Sequence, residues 1–257
     1  MEPAAAVPVV DLWARAVLRI RSSSSLGSGF VIDAKRGLIW TCAHVLSEHH
    51  PDGVSTVDVG MEPVTGAATQ WLYRAEVLWT SMAHHHPTDN LDGALLVIRA
   101  LSSGAGALPS PLTHADGGAL PSLSLGDDTA LLRGESTLII LGYPGDLKRL
   151  VPTTGIFSSP KLATGFLLTT SIVLPGHSGG PAVNRRGEIV GWNVRQAVVS
   201  VGSGPGVVSW CVSFLRCHVS THYILIAVVV LSQSNQRAPT GLPTGRALAR
   251  RSRCACF

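Results

Sequence analysis

Apolar and polar residues alternate along this chain in short runs separated by turns. Ala16-Val17-Leu18-Arg19-Ile20-Arg21 ends in the polar turn Ser22–Ser25, and Gly27–Asp33 follows as a second run. After the turn Ala34–Gly37, Leu38-Ile39-Trp40-Thr41 makes a third and leads into Cys42-Ala43-His44-Val45-Leu46. A period of two sends successive side chains to opposite faces, so each run predicts a half-buried strand. Val54–Val59 and Gln70–Thr80 predict two more. Leu91–Ile98, almost wholly apolar from Ala94 onward, predicts a buried strand entered through Asp92. The pattern then lapses over Ser102–Gly118, which is rich in Gly, Pro, Ser and Ala and reads as a linker. It resumes at Leu123–Asp128 and continues with Glu135–Leu141, closed by Gly142-Tyr143-Pro144-Gly145, then Val151–Phe157 and Phe166–Thr170. Pro181–Asn184 and Glu188–Val194 form a hairpin about Arg185-Arg186-Gly187, and Gly206–Phe214 is the last predicted strand. Two groups of short strands, with turns every ~8–12 residues, predict an all-β sandwich or pair of barrels. The organisation expected is an N-terminal extension (1–11), a first β unit (12–101), the linker (102–118), a second β unit (119–214) and a C-terminal tail (215–257). Within that tail Tyr223–Leu231 reads as a short helix or strand, and the rest as disordered.

Composition sharpens this in three ways. With 257 residues, 46% of them hydrophobic, the chain can bury a full core, and its 27 glycines and 16 prolines favour turns over long helices. No acid follows Glu188, whereas seven arginines do; residues 1–188 therefore hold 13 of the 20 basic groups against all 16 acids, a net of −3. The basicity belongs to the tail and gives the main domain no electrostatic footprint for nucleic acid. The five cysteines (42, 211, 217, 254 and 256) form no even framework, and Met1-Glu2-Pro3 opens no secretory signal, so a reducing, intracellular setting is expected. Tyr223–Leu231, the longest apolar run, is about half the ~20 residues that a membrane-spanning helix needs. Cys254-Ala255-Cys256-Phe257 has the form of a prenylation box that would put a lipid anchor on Cys254. Cys256, however, stands where an aliphatic residue is usual, and a basic disordered tail is the plainer reading.

The chemistry centres on Gly176-His177-Ser178-Gly179-Gly180-Pro181. A serine between glycines is presented on a tight loop, and the amides of Gly176 and Ser178 can converge on one oxyanion. Acyl transfer also needs a base for the nucleophile and an acid to orient the base. His44 at a strand end and Asp92 at the mouth of an apolar strand are the candidates, giving the chain order His, Asp, Ser. An α/β-hydrolase elbow runs Ser, acid, His. Here no aspartate follows Ser178, and no strand–helix alternation surrounds it, which excludes that fold.

Gly27-Ser28-Gly29-Phe30, Thr41-Cys42-Ala43-His44-Val45, Asp92-Gly93-Ala94-Leu95-Leu96, Gly176–Pro181 and Gly187-Glu188-Ile189-Val190-Gly191 together resemble the trypsin-like serine proteases, most nearly the Deg/HtrA type. Leu125-Gly126-Asp127, Gly142-Tyr143-Pro144 and Thr154-Gly155-Ile156 extend the resemblance, which covers about residues 12–214. It implies two six-stranded antiparallel β-barrels with the active site between them. It also implies His44 as general base, Asp92 as its orienting partner, Ser178 as nucleophile, and the amides of Gly176 and Ser178 as oxyanion donors. By the same analogy Ile172 lies near the floor of the specificity pocket and Val194, Arg195 and Gln196 along a wall. No acid stands there, so cleavage after small or aliphatic residues of a peptide or unfolded protein is expected. His177 replaces the aspartate that secreted relatives pair with a new N-terminus, so no zymogen step is expected. Gly93 replaces a bulkier residue beside Asp92, and no PDZ-like domain is expected after the protease half. The alternative is a catalytically silent barrel that binds peptides in the same cleft.

Other candidates rank lower. Asp89, in the polar turn Pro87-Thr88-Asp89-Asn90, is a rival acid but reads as a solvated loop carboxylate. His84-His85-His86, with His49, His50 and Asp52, lacks metal-ligand spacing, and no metal or cofactor is predicted. Trp40, Trp71, Trp79, Trp192 and Trp210 fall on predicted strands, as core or rim.

Overall fold

The computed structural model describes residues 13–46, 56–63, 65–81, 92–126, 137–145, 147, 149–156, 166–201 and 204–213, all within one compact unit spanning 1–217. The 1–11 extension, Asp89, the histidines at 49, 50 and 84–86, and the tail with Cys254 lie outside the described residues.

Six strands close the first barrel: β1 (Val17–Arg21), β2 (Leu26–Asp33), β3 (Leu38–Thr41), β4 (Thr56–Met61), β5 (Gln70–Thr80) and β6 (Ala94–Leu101). They pair antiparallel in the order β1-β2-β3-β6-β5-β4, and β4 returns to β1. Leu18 and Ile20 are fully buried on one face of β1, and Phe30, Ile39 and Leu96 are buried on the neighbouring strands. Each such side chain contributes about 1.5–3 kcal/mol relative to exposure. Arg19, on the opposite face of β1, is also buried, because that face meets the second half rather than solvent. The 102–118 stretch lies against this barrel. Leu112 is buried, and the Tyr73 hydroxyl donates to the Thr113 carbonyl at 2.7 Å.

The second half contains β7 (Thr137–Gly142), β8 (Val151–Ile156), β9 (Phe166–Thr169), β10 (Pro181–Val183), β11 (Ile189–Val201) and β12 (Gly204–Ser213). Its core gathers Leu138, Ile140, Val173, Ala182 and Val190. The expectation of a second closed six-stranded barrel is overturned here. The strands form an open sheet in the order β8-β7-β10-β11-β12-β9. Closure needs β8 and β9 to pair along their length. Among the described residues they meet only at a corner, through Thr170 N–H to the Ile156 carbonyl (3.1 Å) and Ile156 N–H to Thr170 Oγ1 (2.9 Å). β9 has four residues, and Pro152 in β8 has no N–H to give, so no closing ladder builds up. The β11–β12 hairpin also runs further than its sequence suggested, pairing from Gly191–Ser213 out to Val201–Gly204.

Candidate active site

Strand register brings His44 and Asp92 together. Thr41 at the end of β3 pairs with Ala94 at the start of β6, so the chain leaves β3 where it enters β6. A 3₁₀ turn, Ala43–Leu46, buries Ala43 and Val45 and leaves His44 half-exposed at the barrel mouth. Asp92 holds it twice: Oδ1 accepts the His44 backbone N–H at 3.0 Å, and Oδ2 lies 2.5 Å from Nδ1. With Nδ1–H committed to the carboxylate, Nε2 is the lone-pair nitrogen on the outer edge of the ring.

Asp92 is itself fixed from behind. Its backbone carbonyl accepts Trp192 Nε1–H at 2.9 Å, and Ser81 brackets Gly93 through Ser81 N–H to the Gly93 carbonyl (2.9 Å) and Gly93 N–H to Ser81 Oγ (3.2 Å). Trp40 lies edge-on to Trp192 (5.2 Å between ring centroids) and stacks on Trp79 (5.9 Å). A Cβ at position 93 would sit 2.6 Å from Trp40 Cζ2. The glycine after the aspartate therefore makes room for the indole that backs the site.

The serine loop docks against this barrel mouth. Ser28 N–H donates to the Ser178 carbonyl (2.8 Å), and Gly179 N–H donates to the Asn193 carbonyl (2.8 Å). That same carbonyl accepts the buried Cys42 thiol at 3.2 Å, two residues before His44. Ser28 Oγ donates to the Gly176 carbonyl at 2.6 Å and accepts Tyr143 N–H at 2.8 Å. Pro175 and Gly176 form the centre of a tight turn closed by His177 N–H to the Leu174 carbonyl (3.0 Å), with Gly176 at φ +100°. A positive φ after a proline is the mark of a type II turn, and a Cβ at Gly176 would overlap the Tyr143 carbonyl. Among the described residues neither the Gly176 nor the Ser178 amide is bonded to an acceptor. Ser178 Oγ is half-buried and lies 3.5 Å from the Val194 carbonyl; no hydrogen bond joins it to His44.

His177 is buried between backbone groups: Nε2 faces the Val151 carbonyl (3.3 Å), and Nδ1 can accept Leu174 N–H (3.2 Å). The neutral Nε2–H tautomer satisfies both contacts. Burial lowers its pKa below the ordinary 6.5, outweighing the two backbone contacts that raise it.

Of the residues expected around a specificity pocket, Ile172 is 63% exposed between buried Ser171 and Val173, and Val194 is buried on β11. Arg195 and Gln196 continue β11, paired with Trp210 and Ser209; their side chains lie outside the description. Cys42 Sγ, the His44 ring and the Asp92 carboxylate offer donor atoms within 4.8 Å of one another. A zinc ion bound tetrahedrally at ~2.0–2.2 Å would set the His and Asp atoms roughly 3.3 Å apart. At 2.5 Å they stand closer than two ligands of one ion and are hydrogen-bonded to each other. The residues that support the pair and the loop, Ser28, Trp192, Tyr143 and Arg19, were not marked as functional by the sequence. Ser28, in its Gly-Ser-Gly setting, and Tyr143, in Gly142-Tyr143-Pro144, carried a signal as parts of the resemblance; Arg19 and Trp192 carried none.

A sequence model of the family described as trypsin-like peptidase domain matches residues 27–191. HhoA of Synechocystis sp. is 30% identical over 189 residues, 72% of this chain and 41% of that protein. Serine protease HTRA1B of Danio rerio is 29% identical over 208 residues, covering 77% of this chain and 36% of its own length. Serine protease HTRA1 of Xenopus laevis is 29% identical over 185 residues, 68% and 32%. The chain spans about two fifths or less of the length of these curated relatives. The family match runs from the strand that carries Ser28 to the strand that carries Gly191 and so takes in the His–Asp pair and the serine loop together. The chain accordingly belongs to the trypsin-like peptidase family, as a serine protease domain of the Deg/HtrA type.

Proposed function

We propose that the protein is a serine endopeptidase that hydrolyses peptide bonds through Ser178, His44 and Asp92. The observation that carries this reading is the doubly held His44–Asp92 pair, with the unbonded amides of Gly176 and Ser178 on the loop docked beside it. In this mechanism Ser178 Oγ attacks the substrate carbonyl carbon while His44 Nε2 takes its proton. Asp92 stabilises the imidazolium, and the two amides receive the oxyanion. The imidazolium then returns the proton to the leaving amine, which leaves an acyl ester on Ser178. A water molecule, deprotonated in turn by His44, attacks that ester, and the imidazolium reprotonates Ser178 Oγ as the acid is released. The 3.5 Å contact from Ser178 Oγ to the Val194 carbonyl is compatible with this, because such hydrogen bonds often form only in the substrate complex. Substrates are peptides or unfolded proteins. The preference for small or aliphatic residues rests on Ile172 and the absence of an acid near it. An intracellular setting rests on the cysteine usage, five cysteines that form no even framework.

The test is labelling with a fluorophosphonate probe. Folded wild-type protein should label and the S178A protein should not. Absence of wild-type labelling, or equal labelling of S178A, would leave a silent peptide-binding domain as the better reading. A peptide-library profile favouring Arg or Lys before the cut would overturn the aliphatic preference alone.

A further inference from the structure

Arg19 is an unusual group to find inside this protein. It is 5% exposed, and no carboxylate lies within ion-pair distance of it among the described residues. Its Nε has no hydrogen-bond partner among the described residues, and burial lowers its pKa from the ordinary arginine value. The Trp71 ring lies 5.9 Å from the guanidinium carbon, and Nη1 reaches Thr69 Oγ1 only at 3.4 Å. A desolvated guanidinium is costly. Its one short hydrogen bond among the described residues is Nη2–H to the Gly145 carbonyl, at 2.9 Å, across to the second half of the molecule.

Gly145 connects that bond to the serine loop. Its own N–H donates to the Pro175 carbonyl at 2.8 Å. In a trans peptide the C=O and N–H point in opposite directions. Holding the Pro175 carbonyl toward Gly145 therefore turns the Gly176 N–H away from it. The turn is poised between two states: rotating the central peptide of a type II turn gives type I, and Pro then Gly suits both. The closing bond from His177 N–H to the Leu174 carbonyl belongs to either form. Within the turn nothing selects the form that presents the Gly176 amide; the Gly145 amide does so from outside.

We propose that Arg19 is a positioning residue for the oxyanion site. By holding the Gly145 carbonyl it keeps the Gly145 amide on Pro175, and so keeps the Gly176 N–H aimed at the reacting oxygen. The proposal rests on the peptidase reading above. It assigns the first half of the molecule, which carries the base and its acid, a hand in setting the electrophilic stabiliser as well.

The experiment compares wild type, R19M and R19K in fluorophosphonate labelling and in turnover of fluorescein-labelled casein. R19M keeps the side-chain volume and removes the donors. It is expected to lower the labelling rate and kcat by about 10–100-fold, since loss of one oxyanion donor costs about 10²–10³-fold. KM should stay within about twofold, and R19K, which keeps a cationic donor, should recover most of the loss. R19M activity within twofold of wild type, a rise in KM with kcat unchanged, or R19K no better than R19M each overturns the proposal. Wild type that does not label at all sinks the peptidase reading itself, and the proposal with it. Should R19M not fold, R19Q, whose shorter side chain withdraws the donor from the Gly145 carbonyl, provides the reading when labelled with ¹⁵N-glycine. The Gly145 and Gly176 amide resonances should move while that of exposed Gly66 does not, and unmoved resonances overturn the relay.

Discussion

Replacing Gly93 by alanine tests the backing of the candidate base most directly. The added Cβ would sit 2.6 Å from Trp40 Cζ2, about 1 Å inside the separation at which carbon atoms attract. Trp40 has little room to withdraw. It is 2% exposed, stacked on Trp79 on one side and edge-on to Trp192 on the other. The backbone at 93 is equally held, by the two hydrogen bonds to Ser81. Overpacking of this kind costs about 1–3 kcal/mol. In a chain of this size each kcal/mol lowers Tm by about 2–4 °C. Displaced Trp40 also pushes on Trp192, whose Nε1–H holds the Asp92 carbonyl, so turnover should fall along with stability.

Urea denaturation of G93A, W40F and the double variant separates this mechanism from a general dislike of alanine at that position. Phenylalanine lacks the part of the indole that the new methyl meets. W40F should therefore leave a cavity when made alone and accommodate the added methyl when the two changes are combined. The coupling energy is expected to be favourable and within the range of about 0.5–3 kcal/mol seen for residues in contact. A G93A midpoint equal to wild type, or simple additivity of the two changes, would refute the reasoning.

Two other outcomes follow from the site. D92N presents an amide N–H to His44 Nδ1 and favours the tautomer with the proton on the wrong nitrogen. We expect kcat on labelled casein to fall about 10³–10⁴-fold with the fold intact, and activity above a tenth of wild type would contradict the assigned role. His177 and His114 are both buried, and burial lowers both pKa values from 6.5, in His114 against the pull of Asp116. Each group is neutral in the folded chain, so its contribution is complete above about pH 6.5 and is lost as pH falls below that toward the folded pKa. Tm should therefore drop between about pH 7 and pH 5. H177Q, whose amide N–H can still reach the Val151 carbonyl, should show a shallower slope, and an unchanged slope would remove His177 from the account.

What the sequence made legible was what repeats or sits in a dense local pattern. Strand positions followed from period-two alternation, and the pairing of His44 with Asp92 from short motifs in a diagnostic order. The barrel count was not legible, because closure depends on whether two edge strands meet along their length. That is a property of Pro152 in β8 and of the brevity of β9, not of alternation. Arg19 shows the same limit at a single residue. Alternation along β1 separates two faces but does not say that the polar-looking face is covered by the second half. Gly93 looked like a weakness beside Asp92 because its complement, Trp40, is 53 positions away in sequence and touches it only through the β3–β6 pairing. The end of β11 was placed too early at Val194 because Arg195 and Gln196 interrupt the apolar pattern while the backbone ladder continues past them.

Among the described residues the loop around Ser178 is held without any carboxylate, and this bears on how it is made ready. Its contacts are Ser28 N–H to the Ser178 carbonyl, Ser28 Oγ–H to the Gly176 carbonyl, Gly145 N–H to the Pro175 carbonyl, Gly179 N–H to the Asn193 carbonyl and Gly180 N–H to the His177 carbonyl. Neutral hydrogen bonds each contribute about 0.5–1.5 kcal/mol net, and the one from the Gly145 amide engages the central peptide of the Pro175-Gly176 turn. His177 adds two more contacts as a neutral ring, at the position where a buried carboxylate would need a cation brought to it. None of these bonds requires a newly cut N-terminus, so the loop can keep its geometry in the resting chain. Ser28 belongs to the first barrel, as do the His–Asp pair and Arg19, whereas the loop belongs to the second half. Separating the halves would break the loop's anchors and move Ser178 from His44 in one event. The candidate site should accordingly open and close as a unit with the interface between the halves, rather than lose one of its groups at a time.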